Sequence, residues 1–263
     1  MKDEIDTLQI QVARSQQPWY KQIFTMISTG VAILALVVAF GTTFISVRHT
    51  NQQDIQQDRS ELRELAGRVG ELERAKIEFA QTHSRDQDAV QSFNTEVDNE
   101  LLSTALQAAD IIERIPQYVS AAESTVIADQ LADFDLNDRS ISILEIAVDR
   151  AKDAHSLTLA LQRYAQVLFA TEDFSDGRKR FEEASRAYER FPSKDQDWAR
   201  YKTSLNELSW ADLEIAYGNC EEAETRVSKA VELSRGVEDQ DLVDNLTTSI
   251  DGTKAILKEC VAA

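Results

Sequence analysis

Residues 164–184 read YAQVLFATEDFSDGRKRFEEA and residues 210–230 read WADLEIAYGNCEEAETRVSKA; at an offset of 46 the two stretches share one pattern. Tyr164-Ala165 falls on Trp210-Ala211, and Glu172-Asp173-Phe174 falls on Gly218-Asn219-Cys220. Gly177 falls on Ala223, Phe181 on Val227 and Ala184 on Ala230. Each stretch places a large residue and then a small one in a first helix, followed by a turn of acidic, Gly or Asn residues. A second helix then carries small, large and small residues at spacings of four and three, which is one face of an α-helix. Small residues let two helices approach closely, and large apolar neighbours fill the space beside them. A helical hairpin cannot bury such a face alone, so hairpins stack. The pattern predicts an all-α fold built from stacked hairpins.

Here the chain resembles the tetratricopeptide-repeat family. Gly177, Phe181 and Ala184 fall at that family's small–aromatic–small positions of the second helix, and GNCEEA at 218–223 is similar to its usual GDYEEA turn. The resemblance is clearest over 157–235, with a weaker unit near 137–154 and a capping helix from about Asp239 to Cys260. It implies a tetratricopeptide-like helical repeat domain over 121–263. The chain also departs from the family. Its units stand 46 residues apart where the family repeats at about 34. Glu214 stands where the first unit has Leu168, and the terminating proline occurs once, displaced, as Pro192. The resemblance further implies a concave groove for a partner's peptide or helix, with Gln162, Gln166, Asp212 and Ile215 at its inward positions; the competing assignment for each is plain solvated surface. The Lys/Asn/Arg set with which some members clamp a terminal carboxylate is absent.

Upstream, residues 22–47 (QIFTMISTGVAILALVVAFGTTFISV) are uncharged, with Lys21 before them and Arg48 after. As a helix this run reaches roughly 37 Å, enough to cross a bilayer core of about 30 Å with some tilt. Trp19 and Tyr20 sit where an interfacial anchor is expected. The prediction is one transmembrane helix preceded by a tail over 1–21. A cleaved signal peptide is the weaker reading, because the leading region is long and carries acids. The positive-inside count is tied, with Lys2, Arg14 and Lys21 on one side and Arg48, Arg59 and Arg63 on the other. A short tail usually stays inside, so the C-terminal domain is expected on the non-cytoplasmic side.

Between the span and the repeats, residues 50–115 carry a heptad pattern that predicts a coiled-coil or helical stalk. Leu62, Leu65, Val69, Leu72 and Phe79 form its seam, which Lys76 and His83 interrupt. Residues 81–88 (QTHSRDQD) leave two arrangements open. In one, a long helix self-associates into a homo-oligomer through the seam, the favoured expectation. In the other, a hairpin forms whose second arm, about Gln87 to Ile115, folds back or joins the next domain, with Ser84 or Thr82 as its cap. Pro116 ends that arm in either case.

The formal charge of −18 belongs entirely to the residues after the span, since Asp3, Glu4 and Asp6 neutralise the tail. Such a surface repels phosphate backbones, so nucleic acid is excluded as a main partner. Within this acidic chain Arg178, Lys179, Arg180, Arg186 and Arg190 cluster; pairing with Glu182, Glu183 and Glu189 is expected ahead of an acidic partner. Cys220 and Cys260 could form one bridge, and two independent thiols are favoured. His49, His83 and His155 are isolated, and no phosphate loop or nucleophile elbow occurs. No catalytic, metal or cofactor site is expected. The function expected is that of a non-enzymatic, membrane-anchored adaptor or scaffold whose helical-repeat surface binds a protein partner. The alternatives are a structural assembly subunit driven by the coiled coil, and an accessory subunit of a membrane transport or export complex.

Overall fold

The computed structural model describes residues 52–262; the tail and the predicted span at 22–47 lie outside the described residues. The described residues are all-helical, without a strand. No helix among them is long and apolar enough to cross a membrane. Residues from Gln57 onward form one compact unit.

Helix α1 (residues 52–82) turns back on α2 (Gln87–Arg114) as an antiparallel hairpin. Phe79 stacks on Phe93 at 4.1 Å beside the turn. Lys76 bonds Asp98 at 2.7 Å, Arg68 bonds Glu100 at 2.7 Å, and Arg114 pairs with Asp58 at 3.4 Å. Leu62, Val69 and Leu72 are buried within this single chain, while Leu65 and Phe79 are half-buried. The heptad seam is therefore occupied by the chain's own helices. The cap of α2 is Asp86, which accepts from the Ala89 amide at 3.1 Å, rather than Ser84 or Thr82. Thr82 is unavailable because its hydroxyl bonds back to the Glu78 carbonyl in the last turn of α1. Helix α2 ends at Arg114, and Pro116 opens a short 3₁₀ turn.

Three hairpins follow: α3 (Ala121–Asp133) with α4 (Asn137–Arg150), α5 (Ala154–Ala170) with α6 (Phe174–Ser185), and α8 (Gln196–Ala216) with α9 (Cys220–Ser234). All three turn corners in the same way. The amides of Leu136, Asp173 and Asn219 donate to the carbonyls of Leu131, Leu168 and Glu214. The preceding amides, of Asp135, Glu172 and Gly218, donate to Ala132, Phe169 and Ile215. This paired bond is the Schellman motif, which needs one residue in the left-handed region. Asp135, Glu172 and Gly218 hold it, at φ of 60°, 63° and 78°.

The corner brings equivalent residues together in each hairpin. Ile127-Ala128, Tyr164-Ala165 and Trp210-Ala211 are buried on the first helices. Ser140, Gly177 and Ala223 face them from the second helices, followed by the buried pairs Leu144 and Ala147, Phe181 and Ala184, Val227 and Ala230. Ser140 is small enough to approach and donates its hydroxyl to the Ala128 carbonyl at 2.8 Å. At Gly177 a Cβ would lie 2.6 Å from the Phe169 ring and 3.3 Å from the Ala165 carbonyl. Successive helices are tied alike, with Thr158 bonding the Ala184 carbonyl and Ser204 the Ala230 carbonyl. The earliest of these repeated hairpins is thus 121–150, not a unit near 137–154, because α4 pairs with the helix before it. The wider spacing of the last two hairpins is taken up by α7 (Ala187–Arg190) and the turn after it.

Helix α10 (Gln240–Ala262) closes the array by running antiparallel to α9. Leu246, Ile250 and Leu257 bury against Leu208, Val227 and Val237. Its return brings Cys260 to Cys220 at the start of α9, and the two form a disulfide with a Cα–Cα distance of 5.9 Å. The favoured expectation of independent thiols is corrected here. The cysteines lie 40 residues apart, and only the antiparallel return of α10 brings them together.

The packing at Gly177 predicts that Gly177→Ala loses about 1–3 kcal/mol of stability. Glu172→Gly, which relieves a left-handed non-glycine residue, should gain about 1 kcal/mol. Urea unfolding of the purified protein measures both; equal midpoints for wild type and Gly177→Ala would refute the close approach.

Candidate binding groove

Helices α5, α8 and α10 enclose an open groove of about 530 Å³. From α5 come His155, Thr158, Leu159 and Gln162; from α8 come Lys202, Leu205, Ser209 and Asp212. Helix α10 adds Ser249, Gly252, Thr253 and Ile256. Leu208 and Leu205 give the groove an apolar floor, since both also pack in the core below. Ile256 is 52% exposed on the groove's edge. Gly252 has no atom within 4 Å of where a Cβ would sit, so the groove is open there. Thr253 donates to Asp212 at 2.9 Å and joins the α8 and α10 walls. Burial raises the Asp212 carboxyl pKa, with the Thr253 bond opposing it. Lys202 lies 4.8 Å from the Trp198 ring.

Two of the four predicted groove residues, Gln162 and Asp212, meet here. Gln166 lines a neighbouring groove between α3 and α5, where it accepts from Arg163 at 2.8 Å. Ile215 belongs to neither groove; it packs against the core formed by α8, α9 and α10. The contribution of α10 was missed. Its signal was present, because Leu246, Ile250, Thr253 and Leu257 form a buried stripe that leaves Ser249, Gly252 and Ile256 beside it.

Below the groove, the joint between the second and third hairpins is charged. Glu214, with 0% of its side chain exposed, takes two bonds from the Arg178 guanidinium at 2.7 and 2.8 Å. It also accepts from Trp210 Nε1 and from Asn219 Nδ2, each at 2.9 Å. Burial pushes this carboxyl up, and the bonds from Arg178, Trp210 and Asn219 outweigh it, so the pKa is held below the usual range. Glu207 is equally buried and meets Lys229 at 2.7 Å, Arg226 at 3.5 Å and the Ser185 hydroxyl. The Trp210 ring lies between Phe181, stacked at 5.5 Å, and the Arg226 guanidinium at 3.4 Å. Arg180 sits over Tyr164 in the same way, at 4.6 Å.

No protein-family model, curated protein or solved structure matches the chain.

The basic cluster is largely paired, though not only with the expected acids. Arg180 meets Glu183 and Arg186 meets Glu182, but Lys179 reaches back to Asp176 and Arg178 crosses to Glu214. Arg190 lies over Phe191. His83 stacks on Phe79, and His155 lines the groove. Among the described residues no group of three His, Cys, Asp or Glu is placed to hold a metal. What the groove offers is an apolar floor rimmed by hydroxyl, amide, carboxylate and ammonium groups, a surface suited to a protein segment.

Arg178→Ala removes two of the four bonds to the buried Glu214 carboxylate and should lose about 1.5–3 kcal/mol in urea unfolding. The pH dependence has a definite sign. A carboxyl whose folded pKa lies below its unfolded value stabilises fully above the unfolded pKa, and that stability is lost as pH falls through the folded pKa. Glu214 therefore contributes fully at neutral pH and loses its contribution in acid, below about pH 4. In Glu214→Gln this acid-linked loss should shrink; an unchanged stability–pH curve would contradict the assignment.

Proposed function

We propose that the chain is a non-enzymatic adaptor, anchored in a membrane by residues 22–47, whose tetratricopeptide-like array offers the α5–α8–α10 groove to a segment of a partner protein. The observation that carries this is the open groove itself, walled by three helices, with the exposed Ile256 at its edge. The repeated hairpins support the likeness to tetratricopeptide repeats, since the same corner and the same small-residue contacts recur three times. A domain held on the non-cytoplasmic side is supported by the Cys220–Cys260 bridge, because disulfides persist in oxidising compartments. The burial of Leu62, Val69 and Leu72 within one chain favours the adaptor over an assembly subunit built on that seam.

The test is site-specific photo-crosslinking in cells that make the protein. A crosslinking residue at Ile256 should give a recurring protein adduct, and one at Ile77, exposed on α1, should not. At Gly252 a Cβ meets no atom within 4 Å, so Gly252→Trp should place its ring in the open groove and abolish the adduct while leaving the melting temperature within a few degrees. An adduct that persists in Gly252→Trp, or equal adducts at both positions, would overturn the proposal. For the compartment, a membrane-impermeant maleimide should label Cys220 and Cys260 on intact cells only after reduction; labelling without reductant would show free thiols.

A further inference from the structure

The hairpin ends opposite the corners are charged unlike the rest of the chain. A cavity of about 440 Å³ opens between α1, the start of α3 and the α4–α5 link. Arg59 and Arg63 line it from α1, with Arg150 and Lys152 beside the link. Lys152 also lines an adjoining cavity of about 510 Å³, where Arg190 joins it from α7. The chain has 46 acids against 28 lysines and arginines, yet these two cavities gather five such cations and two acids, Glu123 and Asp153. Both acids are engaged at helix starts. Glu123 accepts from the Ser120 amide at 2.8 Å, and Asp153 from the Ser156 amide at 2.8 Å. Arg63 comes only within 3.9 Å of Glu123, and Arg150 pairs with Asp149 at 2.6 Å. Arg59, Lys152 and Arg190 make no ion pair among the described residues. The corners at the other ends of these hairpins carry Asp133, Asp135 and Asp138, and Glu172, Asp173 and Asp176. Charge is thus divided along the helices, and a domain so polarised turns its positive end toward an anionic surface.

The place of this patch in the chain selects the surface. Arg59 and Arg63 follow Val47, the last residue of the predicted span, by twelve and sixteen residues. Twelve residues reach at most about 43 Å when extended and about 18 Å as a helix. Anchoring through 22–47 therefore confines these cations to the neighbourhood of lipid headgroups. The net charge of −18 opposes approach from free solution. A tether removes that encounter, and physiological salt screens acids farther than about 8 Å from the contact. Tyr118 lines the first cavity and Trp198 the second, and both are exposed. Tyrosine and tryptophan are the side chains that settle at the membrane–water boundary, with an apolar ring and a polar edge.

We propose that this edge of the array docks on anionic phospholipid headgroups of the membrane that residues 22–47 cross, Arg59, Arg63, Lys152 and Arg190 meeting the lipid phosphates. The inference goes beyond the adaptor reading and rests on its anchor. A docked edge fixes how the domain is held at the bilayer, where a tether alone would leave it free to turn.

The test uses the full-length chain in proteoliposomes. A fluorescent amino acid replaces Gln117, exposed beside Tyr118, and lipids with a nitroxide headgroup act as quenchers. Vesicles rich in phosphatidylglycerol should quench the label strongly, and vesicles of phosphatidylcholine alone only weakly. The same label at Ser84, in the α1–α2 turn, should stay bright in both. Arg59→Gln with Lys152→Gln should lower the docked-to-free ratio about tenfold, since each cation near a charged bilayer adds to the attraction. Lys254→Gln with Lys258→Gln removes the same formal charge from exposed positions on α10 and should leave the ratio within about twofold. All four residues are exposed, so both variants should melt within a few degrees of wild type. Equal quenching in the two lipids overturns the proposal, as does wild-type quenching in Arg59→Gln with Lys152→Gln. Equal losses in the two variants would mean that only overall charge matters, and the proposal falls. Release of the quenching by millimolar inorganic phosphate at constant ionic strength would assign the cavities to a soluble anion and overturn it too. Flotation of the vesicles after an alkaline wash reports the anchor separately. A chain stripped from the vesicles removes the anchor of the adaptor reading, whereas a chain that floats with an unquenched label at Gln117 overturns this inference alone.

Discussion

Each hairpin depends on how closely its second helix approaches its first, and that distance is set at one residue: Ser140, Gly177 or Ala223. The three solve the same problem differently. Serine turns its hydroxyl into a bond to the Ala128 carbonyl, glycine leaves room for the Phe169 ring, and alanine fits as it is. The approach is aimed by the corner before it, where a Schellman motif reverses the chain in a fixed geometry. Corner and small residue together put Ile127, Tyr164 and Trp210 against Leu144, Phe181 and Val227. The groove follows from this, since it is the space left when α5 and α8 are held side by side and α10 closes over the end.

The joint between the second and third hairpins is built on different chemistry. Where α5 presents Leu161 and Leu168, α8 presents Glu207 and Glu214 at equivalent positions. An apolar interface could have stacked these hairpins at similar net stability, because desolvation offsets most of what a buried ion pair contributes. What the charged joint adds is register. Arg178 reaches Glu214 with both oxygens engaged, and Asn206 bonds both the Phe181 carbonyl and the Ser185 hydroxyl. A slip by one residue would strand two buried carboxylates, a far larger penalty than mispacked leucines. This is also the joint that α7 and its turn lengthen, so the longer connection and the more selective interface occur together.

The hairpins were legible in the sequence where side-chain size varies with the helical period. The pattern at 164–184 and 210–230 is unmistakable because aromatic and small residues alternate sharply there. The first hairpin was read only in part. Its equivalents are Ser140 and Leu144, its corner residue is Asp135, and neither the aromatic nor the glycine marks it. The heptads of 50–115 were visible, but a run of a and d positions is the same whether the facing helix belongs to this chain or to another. The disulfide was illegible because it depends on the antiparallel return of α10, which no local spacing encodes; the third wall of the groove was marked by the apolar stripe of α10, but not by where that stripe would pack. Ile215 was misplaced by the width of one helix face, enough to turn it from the groove into the core.

Helix α10 carries two constraints at once. Its buried stripe caps the last hairpin, which would otherwise expose the faces of Val227 and Leu208, and its adjacent stripe lines the groove. A cap ordinarily presents a polar outer face. Here Ile256 stays exposed and Gly252 leaves space in the middle of a helix, where alanine would serve the helix better. Neither residue is explained by capping. The staple to Cys220 and the Asp212–Thr253 bond fix the helix at two points, one at its end and one beside the opening. A helix held this firmly, with its least stabilising residues turned toward an open groove, keeps that groove open at a cost to its own helical stability.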